Sequence, residues 1–282
     1  MSHILDDMDS RPGSTTSLIR TVIGLYLRRA GGWISIADLI EVMEQLDVSA
    51  PLTRTAVVRL KKKGLLVPHS RDKVSGYALA PEAATMLGKG DRRIFSARHM
   101  QPDDPWCVIS FSLPEELRHV RHQLRRRLYW IGGGMISPAL WICPDFLADE
   151  VEDILNDLDI RRHATLLRTE RPRVAGELSD AIAEWWDLTA LETLHREVAV
   201  ELSALLADGT AETDAVAFAR YIRGVDTWRI IPYIDPGLPS DLLPVDWPGE
   251  ETTALFSAIS TTYADAGWDY VRAVLGVEEE TP

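Results

Sequence analysis

Residues 53–79, TRTAVVRLKKKGLLVPHSRDKVSGYAL, place a short basic helix directly before a basic β-hairpin. Ala56, Val57 and Leu60 share one helical face, which leaves Thr53, Arg54, Thr55, Val58, Arg59 and Lys62 pointing elsewhere. Gly64 is the stop signal, because a residue without Cβ takes the left-handed conformation at a helix C-terminus without strain. Leu65–His69 and Gly76–Leu79 then read as two strands around Ser70–Lys73. A helix sized for the major groove followed by a cationic hairpin is the footprint of a winged helix on DNA.

The upstream sequence supplies the rest of such a unit. Ser17–Arg29 carries Leu18, Ile19, Val22, Leu25 and Tyr26 on an apolar stripe. Ser35 is placed to cap a second helix, Ile36–Gln45, built on Ile36, Leu39, Ile40 and Met43. Asp47–Leu52 makes the turn, and Pro51 suits the first turn of the helix that follows. The plain alternative is that Lys61, Lys62 and Lys63 form a solvated helix face. The order helix, helix, basic helix, hairpin argues against it.

Charge is divided along the chain. The whole sequence carries −13, yet residues 1–95 hold fourteen basic against ten acidic side chains, or +4, which leaves −17 for the remainder. A basic reader joined to an acidic body binds phosphate locally while the body discourages indiscriminate binding. Cys107 and Cys143 lie far apart and form no CxxC pattern, so neither a zinc site nor a disulfide framework is expected. The polar start MSHILDDMDSRPGSTTS lacks the basic and apolar regions of a signal peptide, and no apolar run is long enough to span a membrane. The expectation is a cytoplasmic protein with no membrane partner and no resident cofactor.

Beyond the reader, Pro81–Leu87 reads as a short helix followed by a charged linker through Arg92, Arg93 and Arg98. WCVISF (106–111) is a strand, and Ser112-Leu113-Pro114-Glu115 opens a helix with Leu117, Val120, Leu124 and Leu128 on its buried stripe. A glycine turn leads to a strand near Ala139–Ile142, then a helix over Phe146–Leu158 and a strand over Ala164–Arg168. This order resembles a ferredoxin-like unit. From Leu178 the pattern is helical, with helices that include Ala215–Tyr221 and Glu250–Tyr263. They flank a proline-crowded, rigid loop at Trp228–Gly249. The predicted organisation is an arm at 1–16, a winged helix at 17–88, a linker at 89–105, a ferredoxin-like domain at 106–175 and a helical domain at 176–282. The fold class is α+β, with an N-terminal winged helix-turn-helix, a central ferredoxin-like α/β domain and a mainly helical C-terminal domain.

Three phrases carry a family resemblance over nearly the whole chain: TRTAVVRLKKKGLL, WCVISFSLPEELRHVRHQLRRRLYWIGGG with SPALWICP behind it, and DPGLPSDLLPVDWPG at Asp235–Gly249. With these the sequence resembles the PaaX family of bacterial transcriptional repressors, named for control of phenylacetate catabolism. Its basic helix is similar to GntR-type recognition helices. The resemblance implies a homodimer on double-stranded operator DNA, with phenylacetyl-CoA or another acyl-CoA thioester as the effector that releases it. Carried over by position, Thr53, Arg54, Thr55 and Arg59 fall where the recognition helix meets DNA, with Lys62 on the same helix and Arg71 and Lys73 in the wing. Leu66 stands where many relatives have tryptophan or another bulky residue, a change of packing.

The remaining constellations are weaker. Arg118, Arg121 and Arg125 lie on one stripe of the central helix and could hold the phosphates of a CoA ester; the alternative is that they face solvent or pair with acids. His119 and His122 read as a surface pair rather than metal ligands. Asp235 and Asp246 read as loop caps, because no nucleophile accompanies them. Trp130, Trp185 and Trp186 read as core or interface. The central unit is also similar to the CRISPR adaptation nucleases, so a metal-dependent nuclease targeted by the winged helix is the alternative function. Those enzymes carry a metal-binding Asp at the end of the first strand, where this chain has Phe111-Ser112. The sequence therefore points away from an enzyme.

Overall fold

In the computed structural model, which describes residues 11–207 and 213–277, helix α1 spans Thr15–Val22. It starts two residues before the expected Ser17, because the Ser14 hydroxyl accepts the Ser17 N–H and caps the helix. Residues 1–10 of the expected arm lie outside the described residues. After a wider π-turn at Ile23–Leu27, a three-residue strand that periodicity did not reveal, β1 (Trp33–Ser35), leads into α2 (Ile36–Glu44). Ser35 caps α2 as expected, its hydroxyl 3.0 Å from the Asp38 N–H. Helix α3 (Ala50–Lys62) has Pro51 in its first turn and ends before Gly64 at φ 70°.

Strands β2 (Leu66–Arg71) and β3 (Val74–Leu79) form the expected hairpin, and β3 lies between β1 and β2 in an antiparallel sheet. Asp72 and Lys73 form its two-residue turn at φ 49° and 66°, the type I′ geometry that matches strand twist. Helix α4 (Pro81–Phe95) takes up the first seven residues of what reads as the 89–105 linker.

The central segment has the order β–α–β–β–α–β, one strand more than the strand–helix–strand–helix–strand expected, and keeps the ferredoxin-like arrangement. Its elements are β4 (Trp106–Phe111), α5 (Arg118–Trp130), β5 (Gly134–Ser137), β6 (Leu140–Pro144), α6 (Ala148–Asp157) and β7 (Ala164–Thr169). The antiparallel sheet has the order β5-β6-β4-β7. Ser112 does not cap the first central helix. Its N–H donates to the His163 carbonyl, and a 3-10 turn at Glu115–Leu117 leads into α5 instead.

The C-terminal helices are α7 (Leu178–Trp185), α8 (Leu188–Ala207), α9 (Asp214–Trp228), the short α10 (Ile231–Ile234) and α11 (Gly249–Leu275). Helices α9 and α11 are much longer than expected. Small residues let them approach closely: a Cβ on Gly224 would lie 2.7 Å from the Ile259 side chain.

These elements fall into two compact units. Among the described residues, one takes 93–196 and 230–249; the other combines 11–92 with 197–207, 213–229 and 250–277. Sequence domains are thus not spatial units here, since the C-terminal helices complete the N-terminal core. Tyr26 stacks on Trp268 with ring centroids 6.1 Å apart, and Trp228 stacks on Phe256 at 4.9 Å. Asp226, 1% exposed, ties α9 to α1: it accepts from the Gly13 N–H at 2.7 Å, the Thr21 hydroxyl at 3.0 Å and the Ser17 hydroxyl. The Arg229 Nε also donates to Asp226 at 3.0 Å, and the same guanidinium donates to Ser17.

In the other unit the sheet is covered on both faces. Ile109, Phe111, Leu124, Leu128, Val151 and Leu155 fill the side under α5 and α6. Trp106, Ile142, Ile182, Trp186, Leu238 and Leu242 fill the side under α7 and the proline-rich loop. Arg93, which reads as a linker residue, is a largely enclosed clasp in this unit. Its guanidinium donates to the carbonyls of Ile131 (2.7 Å), Pro232 (2.8 Å) and Tyr233 (3.2 Å) and pairs with Glu150.

Candidate nucleic-acid interface

Between Asp47 and Glu82 the chain holds seven cations, Arg54, Arg59, Lys61, Lys62, Lys63, Arg71 and Lys73, against the single acid Asp72. Helix α3 turns Ala56, Val57 and Leu60 into the core and leaves Arg54, Thr55, Val58, Arg59, Lys61 and Lys62 exposed. Among the described residues no carboxylate forms an ion pair with Arg54, Arg59, Lys62 or Lys73. Arg59, Lys61 and Lys62 also sit at the C-terminal end of the helix, where the dipole favours cations. Leu52 and Val58, each about half exposed, add apolar contact surface to the same outer face.

Thr53 does not belong to this face. It is fully buried, with its hydroxyl 3.2 Å from the Ser49 carbonyl, so it packs the helix against the core instead of reading a base. The expectation that Thr53 points away from the apolar stripe is thereby corrected: it precedes Ala56, Val57 and Leu60 by three, four and seven residues, a spacing that puts it on their face. Thr55 is exposed, and its hydroxyl donates to the Pro51 carbonyl at 2.9 Å.

The hairpin is braced by Trp33, a residue that the sequence reading did not single out. Its indole N–H donates to the His69 carbonyl at 3.0 Å, and the Arg71 guanidinium lies 5.2 Å over its ring. Arg71 donates as well to the Gly31 carbonyl at 3.2 Å. Gly76 makes room for this arrangement: a Cβ there would fall 2.4 Å from the Ile34 carbonyl and 2.7 Å from the Trp33 ring. In the register Gly76 pairs with Ser35 while the Trp33 ring leans over it from the neighbouring pair with Ala78, and a strand of three residues is too short to announce this in the sequence. Lys61 leans toward the Tyr77 ring, 5.9 Å away. A cleft of about 250 Å³ between α3 and the hairpin is lined by Ile36, Lys61, Pro68, His69, Ser70 and Tyr77. Lys73 stands exposed at the tip of the turn.

The arginine stripe of α5 is partly engaged. Arg121 donates to the Leu113 carbonyl at 2.7 Å, and Arg125 donates twice to the Pro138 carbonyl, at 2.7 and 3.1 Å. Arg118 is exposed, 3.7 Å from Glu115. His119 and His122 are exposed, and among the described residues no group of three His, Cys, Asp or Glu side chains is gathered to hold a metal. Phe111, where the nuclease fold would carry its acid, is buried in the core. Asp235 caps its loop as expected, accepting the Gly237 N–H at 2.7 Å, and it also meets the buried His195 at 2.8 Å. Trp186 is core, its indole N–H on the Gly132 carbonyl. No helix among the described residues is long and apolar enough to cross a membrane.

Comparison with known proteins places these regions. Residues 14–83 match the family model for PaaX-like protein, 99–181 the PaaX protein central Cas2-like domain, and 186–273 the PaaX-like protein C-terminal domain. The transcriptional repressor PaaX of Escherichia coli (strain K12) is 26% identical over 267 residues, spanning 92% of this chain and 84% of that protein. The solved structure of an uncharacterized protein of Mycobacterium tuberculosis, Rv0674, shares the fold at a TM-score of 0.57 and 20% identity, over 90% of this chain and 97% of that one. Matched from residue 14 to residue 273 by three successive family models, the chain belongs to the PaaX family.

Proposed function

We propose that the protein is a DNA-binding transcriptional repressor. Its N-terminal elements act as a winged helix, with α3 in the major groove and the β2–β3 hairpin on the flanking backbone. The observation that carries this reading is the seven-to-one excess of cations concentrated on α3 and the hairpin of a chain whose net charge is −13. Family membership and the repressor function of the Escherichia coli relative support it. Arg54 and Thr55 lie in the first half of the helix and are the base-edge candidates; Arg59, Lys62, Arg71 and Lys73 neutralise phosphates.

The working form is a two-fold homodimer on an imperfect palindrome, one α3 for each half-site. An acyl-CoA thioester such as phenylacetyl-CoA releases it by binding the DNA-incompetent arrangement more tightly, since equal affinity for both would shift nothing. Arg118, Arg121 and Arg125 are the proposed phosphate ligands of that thioester. Arg121 and Arg125 are anchored by carbonyls and keep further N–H donors for an anion.

The deciding experiment is a gel-shift titration with the protein's own upstream DNA, with and without phenylacetyl-CoA. Specific binding relieved by the thioester supports the whole reading. Binding that ignores it keeps the repressor and removes this effector, and no specific binding removes the repressor. Release that is unchanged in an R121A/R125A variant would take the thioester site elsewhere.

A further inference from the structure

We propose that Cys107 and Cys143 form a reversible dithiol–disulfide site that responds to small hydroperoxides. The two residues lie 36 positions apart in sequence, but the sheet makes them direct partners: Cys107 on β4 faces Cys143 on β6 in the antiparallel register. Partners in such a register project to the same face of the sheet, here the face under α6, where both belong to the apolar core with Ile109, Leu147 and Val151. Cα atoms of directly opposed residues lie about 4.5–5.5 Å apart. That falls within the span of about 4.4–6.8 Å that a disulfide bridges. Both cysteines are reduced in this structure.

The two thiols are not equivalent. The Cys143 S–H donates to the Cys107 sulfur, and that hydrogen bond, working against burial and the nearby Asp145 and Glu152, holds the Cys107 thiol below its usual range. The same bond, with burial and the negative charge of Cys107 and Glu150, pushes Cys143 up, and Arg93 offsets part of this. In this proposal Cys107, the less deeply enclosed of the two and directly beside the edge strand β7, takes the part of the nucleophile and Cys143 that of the resolving thiol. On the other side of Cys107 in the register stands Arg168 of the edge strand β7, exposed and 3.1 Å from Asp145. Cys107 and Cys143 are 2% and 1% exposed, so the oxidant has to be as small as hydrogen peroxide.

The chemistry balances with the hydroperoxide as oxidant. The Cys107 thiolate attacks one peroxide oxygen, the O–O bond breaks, and the departing hydroxide takes the Cys107 proton to leave as water. Cys107 is then a sulfenic acid. Cys143 attacks its sulfur, the S–O bond breaks as the S–S bond forms, and the second hydroxide leaves as water with the Cys143 proton. Two thiols are oxidised by two electrons in total, and the peroxide is reduced to two waters.

Because the chain has only two cysteines, the readout is unambiguous. Full-length protein is treated with hydrogen peroxide, quenched with catalase, denatured, labelled with a maleimide and weighed intact, before and after dithiothreitol. The expected result is joint loss of both thiols, a mass lower by two hydrogens, and full recovery on reduction. In C143A, Cys107 should accumulate as a sulfenic acid that dimedone traps, whereas Cys143 in C107A should stay reduced at the same dose. If either variant fails to fold, peptide mapping of the oxidised wild-type protein carries the test through the 107–143 cross-linked fragment. Thiols that remain fully labelled, loss of one thiol alone, or a cross-link between chains on a non-reducing gel would each overturn the proposal.

Discussion

The arginines of α3 and the arginines of the two cores are the same side chain put to opposite uses. Arg54 and Arg59 stand exposed with no carboxylate beside them among the described residues, so the structure gains little from them. Arg229 and Arg93 are almost fully enclosed, and their donors are directed at named acceptors: Asp226 and Ser17 for the first, Glu150 and three carbonyls for the second. A charge removed from water is tolerated only when it is paired and hydrogen-bonded, so burial selects the partners. A charge left in water without a partner is available to something outside the chain. The difference separates residues that hold the fold from residues kept for a ligand.

The largest effect should come from breaking the buried side of this comparison. Asp226→Ala strands Arg229 and removes the acceptor for Gly13, Ser17 and Thr21. A cost of about 3–5 kcal/mol in urea unfolding is expected. A loss below about 1 kcal/mol would mean that water replaces the acid and that the site is far less closed than it looks. Arg93→Ala leaves the carbonyls of Ile131, Pro232 and Tyr233 without their guanidinium and Glu150 without its partner. Its expected cost is about 2–4 kcal/mol, measured the same way.

On the exposed side the signs change place. Arg54→Ala should leave unfolding within about 0.5 kcal/mol of the wild type. If it reads a guanine edge, it should weaken operator binding by about 1–3 kcal/mol. An equal loss on operator and unrelated DNA would reassign Arg54 to phosphate. Lys62→Ala should flatten the dependence of log K on log salt by about 0.9, the slope contributed by one phosphate. An unchanged slope would take Lys62 out of the interface. The control is Thr53→Val: a buried residue exchanged for one of similar shape should leave the salt slope untouched.

The sequence was most readable where one periodicity dominated. Ser35 and Gly64 marked helix ends because their chemistry is local, and the hairpin was bracketed by a turn that only a few residues suit. Thr53 was misread because its polar side chain was set apart from Ala56, Val57 and Leu60, although the spacing of three, four and seven residues puts it on their buried face. Strand β1 and strand β5 were missed because three and four residues carry too little alternation, and the glycines before β5 masked its start. Helices α9 and α11 were cut short because their alanines, threonines and Gly224 do not register as apolar, although they pack closely. The Asp226 cluster and the Cys107–Cys143 pair join residues 209 and 36 positions apart, respectively. No local pattern encodes such a meeting; it is a property of the tertiary fold.

The smallest expected effect is the sharpest test of the comparison, because one side chain should move stability and binding in opposite directions. Lys73 occupies the left-handed region at φ 66°, a conformation that disfavours a residue with a Cβ. Asp72 beside it suffers less, since short polar side chains tolerate that region. Lys73→Gly should relieve the strain and stabilise the protein by roughly 0.4–1 kcal/mol, or somewhat less once the greater freedom of glycine in the unfolded chain is counted. The same substitution removes a cation from the wing tip, so affinity for DNA should fall and the salt slope should flatten. Lys73→Asn separates the two effects, because asparagine accepts the left-handed conformation without adding backbone freedom and also lacks the charge. If both variants are more stable and bind more weakly, the tip keeps a strained lysine for its charge. If binding is unchanged in both, the lysine has no part in the interface, and the DNA-facing surface ends at α3 and Arg71.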